Sequence, residues 1–209
     1  MKGKYLKGKN VEYDGSQLSP LWTYINFDVP GDSIISFRGP CDVAEEYMVD
    51  MEDRKKHAAI SSPDMLHFLI ELFGVGMVAM VLAQRLLITV VMELLRDIIA
   101  EDAELEREYD NIFALAPGAT ERGKLSVSVA TVSPVSGLIH LGLNITSEDI
   151  PVPAAGLEEL GVEDLDKLAV DVARLFIEEM KNVNIDACKS RPVLCSMLEG
   201  KVTWPHAVT

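Results

Sequence analysis

Cysteine is scarce in this chain: Cys41, Cys188 and Cys195 are the three present, and no C-x-x-C pair occurs. So sparse and odd a set builds no disulfide framework, fits a reducing compartment, and lacks the common zinc signatures. Positive charge is scarce as well. Nineteen lysines and arginines face 33 acidic residues, for a formal net charge of −14. A diffuse negative field argues against nucleic acid or an anionic membrane as the main partner, yet leaves room for a local basic pocket that takes a small anion. The chain has no internal repeat and no low-complexity tract. Its basic start, MKGKYLKGKN, is followed by no apolar stretch and predicts no secretory signal. One long apolar run exists, residues 72–92, but Gln84 and Arg85 sit at its middle and Gly74 and Gly76 near its start. An arginine at the bilayer centre costs roughly 2.5–3.5 kcal/mol, so the run reads as a core helix and not a membrane span.

What is present is an α+β pattern. A chain of 209 residues suffices for one domain with a sizeable core. We expect a single α+β domain over 1–181 and a C-terminal tail over 182–209, docked through Trp204 and Pro205 or mobile. Strands are expected at 4–13, 33–38 and 112–115. Residues 45–53 read as a strand or turn, and the acidic stretch 100–110 as a helix end or loop. A helix is expected to start at Ser19-Pro20. Another starts at Ser62-Pro63-Asp64, with Leu66, Leu69, Ile70 and Phe73 as its apolar stripe and His67 and Glu71 as a surface pair. Long helices follow at about 77–99 and 163–181.

The remaining elements are organised around residues 122–145, which read as two strands and a turn built on Ser133, Pro134, Ser136 and Gly137. Strand alternation puts Lys124, Ser126, Ser128 and Ala130 on one face of the first strand. In the return strand it sets His140, Gly142 and Asn144 opposite an apolar row of Ile139, Leu141, Leu143 and Ile145. A small polar face with a cation at its edge suits the floor of a small-molecule site; it equally suits the solvent face of an ordinary hairpin. Elsewhere, Asp14 and Ser16 in a turn, Asp32 in another, and Arg38 at a strand end beside Gly39 are candidate ligand contacts. A guanidinium in that position grips a phosphate or carboxylate with two parallel hydrogen bonds, or pairs with an acidic residue of the chain. Asp50 and Glu52 share a face if their segment is extended, and such a pair can hold Mg²⁺ beside a nucleotide.

Six stretches resemble an uncharacterised archaeal family, a domain of unknown function: YDGSQLSPLW (13–22), GDSIISFRGPCDV (31–43), VDMED (49–53), DMLHFLIELF (64–73), QRLL (84–87) and KLSVSVATVSP (124–134). The resemblance implies a biotin- and lipoate-protein-ligase-like fold, related to the class II aminoacyl-tRNA synthetase core. That fold is a mixed, mostly antiparallel sheet flanked by helices. Locally, RGKLS (122–126), HLGLNI (140–145) and PVPAAGLEELG (151–161) resemble pieces of those ligases. By that match Lys124 takes the place of the ligase lysine, which contacts the ligand carboxylate and the forming acyl-phosphate. Asn144 takes the place of the second-strand asparagine. The ligases' Gly-Arg-Gly-Arg-x-Gly and Arg-Arg-x-Ser-Gly-Gly-Gly segments are absent, and Val127 stands where they carry glycine.

The resulting expectation is an acyl transferase or carboxylate-activating enzyme for a small carboxylic acid or acyl group. Lys124 and Arg38 clamp the anion, Asp14, Ser16, Asp32, Ser126, His140 and Asn144 contact the ligand, and ATP with Mg²⁺ on Asp50 and Glu52 serves as co-reactant. The alternative is a non-catalytic metabolite- or protein-binding member of the same fold. A third reading is a metal-dependent hydrolase using Asp50, Glu52, Asp53 and His67. The protein is expected to be cytoplasmic, and exposed sheet edges with long apolar helices suggest a homodimer.

Overall fold

A computed structural model describes residues 1–189 of the protein. In chain order it contains β1 (Lys2–Asn10), α1 (Trp22–Phe27), β2 (Ser33–Asp42), α2 (Met51–Lys56), β3 (Ser61–Phe73), α3 (Met77–Arg96), β4 (Glu104–Glu108), β5 (Asn111–Leu115), β6 (Gly123–Lys124), β7 (Ser126–Val132), β8 (Ser136–Asn144) and α4 (Leu165–Lys189). Five strands form the main sheet in the order β1-β2-β3-β8-β7, and β4-β5-β6 form a smaller one. Within the main sheet β1 runs parallel to β2 while every other neighbour is antiparallel. The architecture is therefore the mixed, mostly antiparallel α+β arrangement expected from sequence.

Each face of the main sheet carries its own core, because alternate side chains leave a strand on opposite sides. One face presents Ile34 of β2, Leu66, Phe68 and Ile70 of β3, and Ile139, Leu141 and Leu143 of β8 to the buried sides of α3 and α4. From the helices, Met80, Leu87, Ile88, Val91 and Leu95 meet that face along with Val172 and Phe176. The other face presents Ile35, Phe37, Met65 and Leu69 to Leu6, Tyr13 and Val29, with Trp22 and Phe27 of α1 packed alongside. By length and composition α3 alone, among the described residues, could cross a membrane; half of its most apolar window is buried against the sheet.

Several local expectations are corrected. Residues 61–73 form a strand, not a helix. From Met65 to Leu72 β3 is buried on both faces, and over 65–73 only His67 and Glu71 are polar, so the helical stripe at 66, 69, 70 and 73 is a subset of that run. Pro63 is tolerated because the β2–β3 register shifts there, between Gly39 and Cys41. Residues 51–56 form a helix and not an extended edge, since the Asp50 carboxylate accepts from the backbone N–H of Glu52 and Asp53 as an N-cap. The acidic stretch after α3 includes β4, paired with β5. Ser19 does not cap α1: Leu21, with φ of 64°, holds that position, and its N–H donates to the buried carboxylate of Glu71. Helix α4 runs past residue 181 to Lys189. Trp204 and Pro205 lie outside the described residues.

Phe176 is fully buried between α4 and the sheet. Phe176→Ala is expected to cost about 3–5 kcal/mol of unfolding free energy. Urea denaturation checks this, with the same residual structure at the end of the transition in both proteins.

Candidate functional site

A cavity of about 580 Å³ opens on the sheet face away from α3 and α4. Its floor is laid by Tyr13, Cys41, Met65 of β3, Val127 of β7, and His140 and Asn144 of β8. Residues 47–53, with α2, wall one side, residues 58–62 continue that wall, and residues 150–153 close the other. Gly142 keeps the floor low between His140 and Asn144. A Cβ there would approach the Met65 side chain to 2.8 Å.

His140 of the floor and the fully buried His67 act as one unit. His67 Nδ1 lies 3.0 Å from His140 Nε2, and His67 Nε2 lies 3.0 Å from the carbonyl oxygen of Gly39. Tyr13 stacks on the His140 ring at 3.7 Å and an 11° tilt, and Phe37 stacks on His67 at 4.9 Å. Burial pushes the His67 pKa down to about 4, against the raising effects of the Gly39 carbonyl and of Asp64. His140, fully enclosed and beside His67, is also held well below the usual histidine value. Both rings are thus neutral near pH 7. Burial raises the Cys41 thiol to about 12 and pushes the Tyr13 phenol up as well, so neither ionises at neutral pH. Cys41 is a packing residue here, not a nucleophile.

Lys124 is held by its main chain from several directions. Its N–H donates to Pro153 O at 2.9 Å, and its carbonyl accepts from Ala155 N–H at 3.1 Å and from Asn144 Nδ2 at 2.9 Å. Gly123 permits the crossing, since a Cβ there would sit 2.1 Å from the Ala154 carbonyl carbon. Asn144 thereby positions Lys124, as well as lining the cavity. Among the described residues no carboxylate pairs with the Lys124 side chain, which lines the cavity. Arg122, the other lining cation, is held by Glu106 and Glu108, and Asp110 meets Arg85 at 3.4 Å.

The structure brings Lys124, His140, Asn144, Asp50 and Glu52 to this one cavity. It does not bring the others. Arg38 lies in a separate shallow pocket with Tyr5, Lys7 and Asp166, gripped by both carboxylate oxygens of Asp64. Asp14 accepts from the N–H and hydroxyl of Ser16 in an exposed turn, and Asp32 accepts from Phe73 N–H. Ser126 is fully buried on the helix side of the sheet, and its hydroxyl accepts from Ile112 N–H. The expected common polar face of the hairpin is corrected by its register, Val129 opposite His140 and Ser128 opposite Leu141. Val127 and Val129, not the serines, share the cavity side with His140, and Ser128 accepts from Gln84 of α3. The chain passes from the smaller sheet to the main one at Leu125, so the alternation does not carry from Lys124 into β7. Glu52 meets Lys56 at 3.6 Å. Among the described residues no group of three or more His, Cys, Asp or Glu converges as a metal site. His67, read as a surface residue, is in fact buried; misreading β3 as a helix hid it. Tyr13 gave no signal beyond its place at the end of the expected first strand, 4–13.

A family model described as Domain of unknown function (DUF366) matches residues 1–191. An uncharacterized protein of Methanocaldococcus jannaschii is 33% identical over 190 residues, covering 88% of this chain and 82% of its own. A solved protein of unknown function from Pyrococcus horikoshi is 38% identical with a TM-score of 0.84, covering 93% of this chain and all of its own. At low identity the fold recurs in ligases. A putative lipoate protein ligase from T. acidophilum with bound lipoic acid aligns at a TM-score of 0.50 and 15% identity, over 87% of this chain and 86% of its own. A biotin protein ligase from Aquifex aeolicus in complex with biotin and ATP aligns at 0.51 and 14%, over 87% and 71%. The fold is thus biotin- and lipoate-protein-ligase-like.

The histidine pair sets a pH dependence. Each pKa is lower in the folded chain than the value near 6.5 expected unfolded, so the unfolded state binds more protons in the window between. Stability is expected to fall as pH drops from about 6.5 towards about 4. Thermal melts across that range check it, with the slope shallower in His67→Phe, which also lowers the plateau by leaving Gly39 O without its donor.

Proposed function

The chain belongs to the DUF366 family of unknown function, and we propose that it binds a small carboxylic acid or acyl group in the cavity over β7 and β8 and catalyses acyl transfer or carboxylate activation. The observation that carries this reading is Lys124: its backbone is fixed from three directions, and its side chain lines the cavity with no carboxylate partner among the described residues. A cation held so, in a partly dry cleft, meets a ligand carboxylate. It would equally stabilise the charge that collects on an acyl oxygen as a nucleophile adds and the leaving group departs. Asn144 keeps the Lys124 carbonyl in place, and His140 and Tyr13 form the far floor.

ATP with Mg²⁺ is the co-reactant that carboxylate activation needs, and would supply the adenylyl group, with pyrophosphate as the leaving group. The lining fits a triphosphate poorly. Arg38 is locked on Asp64 outside the cavity, Arg122 is held by two glutamates, and one oxygen of Asp50 caps α2. Transfer of an acyl group that arrives already activated needs neither nucleotide nor metal and suits these residues better. A second reading, a metabolite- or partner-binding protein without turnover, is favoured by the inert Cys41 thiol and by those two occupied arginines. We further read the protein as cytoplasmic and homodimeric; the exposed Val78 and Leu82 of α3 support a paired face.

A thermal-shift panel of biotin, lipoate, octanoate and their acyl-adenylate mimics, with and without ATP and Mg²⁺, tests the site. A ligand at 100-fold its Kd adds about 2.7 kcal/mol of stability. At least one carboxylate is expected to raise the melting temperature of the wild type, and Lys124→Ala to lose that shift while melting as the wild type does unliganded. A shift that survives in Lys124→Ala removes the lysine from the site. Acyl release from a bound acyl thioester then separates turnover from binding alone.

A further inference from the structure

The cavity floor ends in a hydrogen-bond acceptor whose identity follows from the two histidines. A carbonyl oxygen only accepts, so the 3.0 Å contact with Gly39 O fixes the proton of His67 on Nε2. His67 in its neutral form then has a bare Nδ1, which can only accept. The 3.0 Å contact between the rings therefore fixes a proton on Nε2 of His140. His140, neutral too, is left with a bare Nδ1. That atom has no partner among the described residues, although its side chain is almost wholly buried and lines the cavity. Stacked on it, the Tyr13 phenol is equally buried, also lines the cavity, and also lacks a partner among the described residues. Buried polar groups are ordinarily hydrogen-bonded, and both of these residues line the cavity that Lys124 also lines.

We propose that the ligand of this cavity carries an N–H or O–H group that donates to Nδ1 of His140, at the end away from its carboxylate. The inference rests on the carboxylate reading of Lys124 and narrows it. Asn144, which holds Lys124, and His140 are four residues apart on one face of β8, or about 14 Å at the usual strand rise. The ligand is then a medium-length chain with an anion at one end and a neutral donor at the other. A hydroxyl or amide also takes a proton from the Tyr13 phenol, so it meets both unpartnered groups. A purely hydrocarbon or disulfide tail leaves them both unmet, and the enclosed acceptor discriminates against it.

Two measurements on the full-length protein test this. Long-range ¹⁵N–¹H spectra at neutral pH are expected to show His140 protonated on Nε2 and bare on Nδ1. A proton on Nδ1 overturns the proposal whatever binds. Calorimetric titration with octanoate and ω-hydroxyoctanoate is expected to show the hydroxylated chain binding about tenfold more tightly, a preference that His140→Phe abolishes while keeping the ring stack. Equal affinity of the two chains for the wild type, or a preference unchanged in His140→Phe, overturns it. If neither chain binds, the carboxylate reading of Lys124 fails by itself, and the ring spectra still decide whether the floor accepts or donates.

Discussion

Everything around the cavity depends on the pairing of β3 with β8. These strands run antiparallel from Met65 opposite Asn144 to Phe73 opposite Ser136, and both are buried on both faces. A slip of one residue would turn the apolar row of β8 towards the cavity and bury His140 and Asn144 under the helices. The register is held from both sides. On the helix face Leu66, Phe68 and Ile70 pack with Leu141, Leu143 and Ile139, and on the other His67 and His140 meet diagonally across the ladder. Glu71 adds a tie near the far end, accepting from Ser136 Oγ at 2.7 Å and from Leu21 N–H at 2.8 Å. One ladder thus fixes the core, the acceptor at the floor and the entry to α1.

Much of this was legible in the chain. Alternation in 136–145 separated Ile139, Leu141 and Leu143 from His140 and Asn144, and the structure keeps that division. The long core helix and the lysine ahead of the hairpin were legible for the same reason: each rests on a local pattern. What failed were statements that need a partner from elsewhere. Ser126 looked like a ligand contact, with Ser128 beside it on the polar face, because Ile112 N–H and Gln84, which occupy them, come from distant elements. Arg38 could serve a ligand or an acidic residue of the chain, and its partner, Asp64, lies in a strand that reads as a helix. A run such as 65–73, apolar but for His67 and Glu71, carries no clear period, so neither the state of β3 nor the burial of His67 could be read from it.

The electrostatics of the cavity follow from how its charges are shared out. The chain as a whole is strongly acidic, yet most lining charges are held by other groups: Arg122 by Glu106 and Glu108, Asp110 by Arg85, Glu52 by Lys56, Asp50 by the amides of α2. Lys124 stands apart from these pairings. The far field of the molecule opposes an incoming anion while this local cation attracts it, so added salt, which screens the far field first, should quicken association where it would slow an ordinary steered encounter.

The threefold hold on the Lys124 main chain has an entropic side. A loop residue that must settle before it can grip a ligand gives up roughly 1–2 kcal/mol of backbone freedom in doing so. Here the amide and carbonyl of Lys124 are bonded in the folded chain to Pro153, Ala155 and Asn144 before any ligand arrives. Only the torsions of its side chain remain to be ordered, and the ordering of its backbone belongs to folding and not to binding.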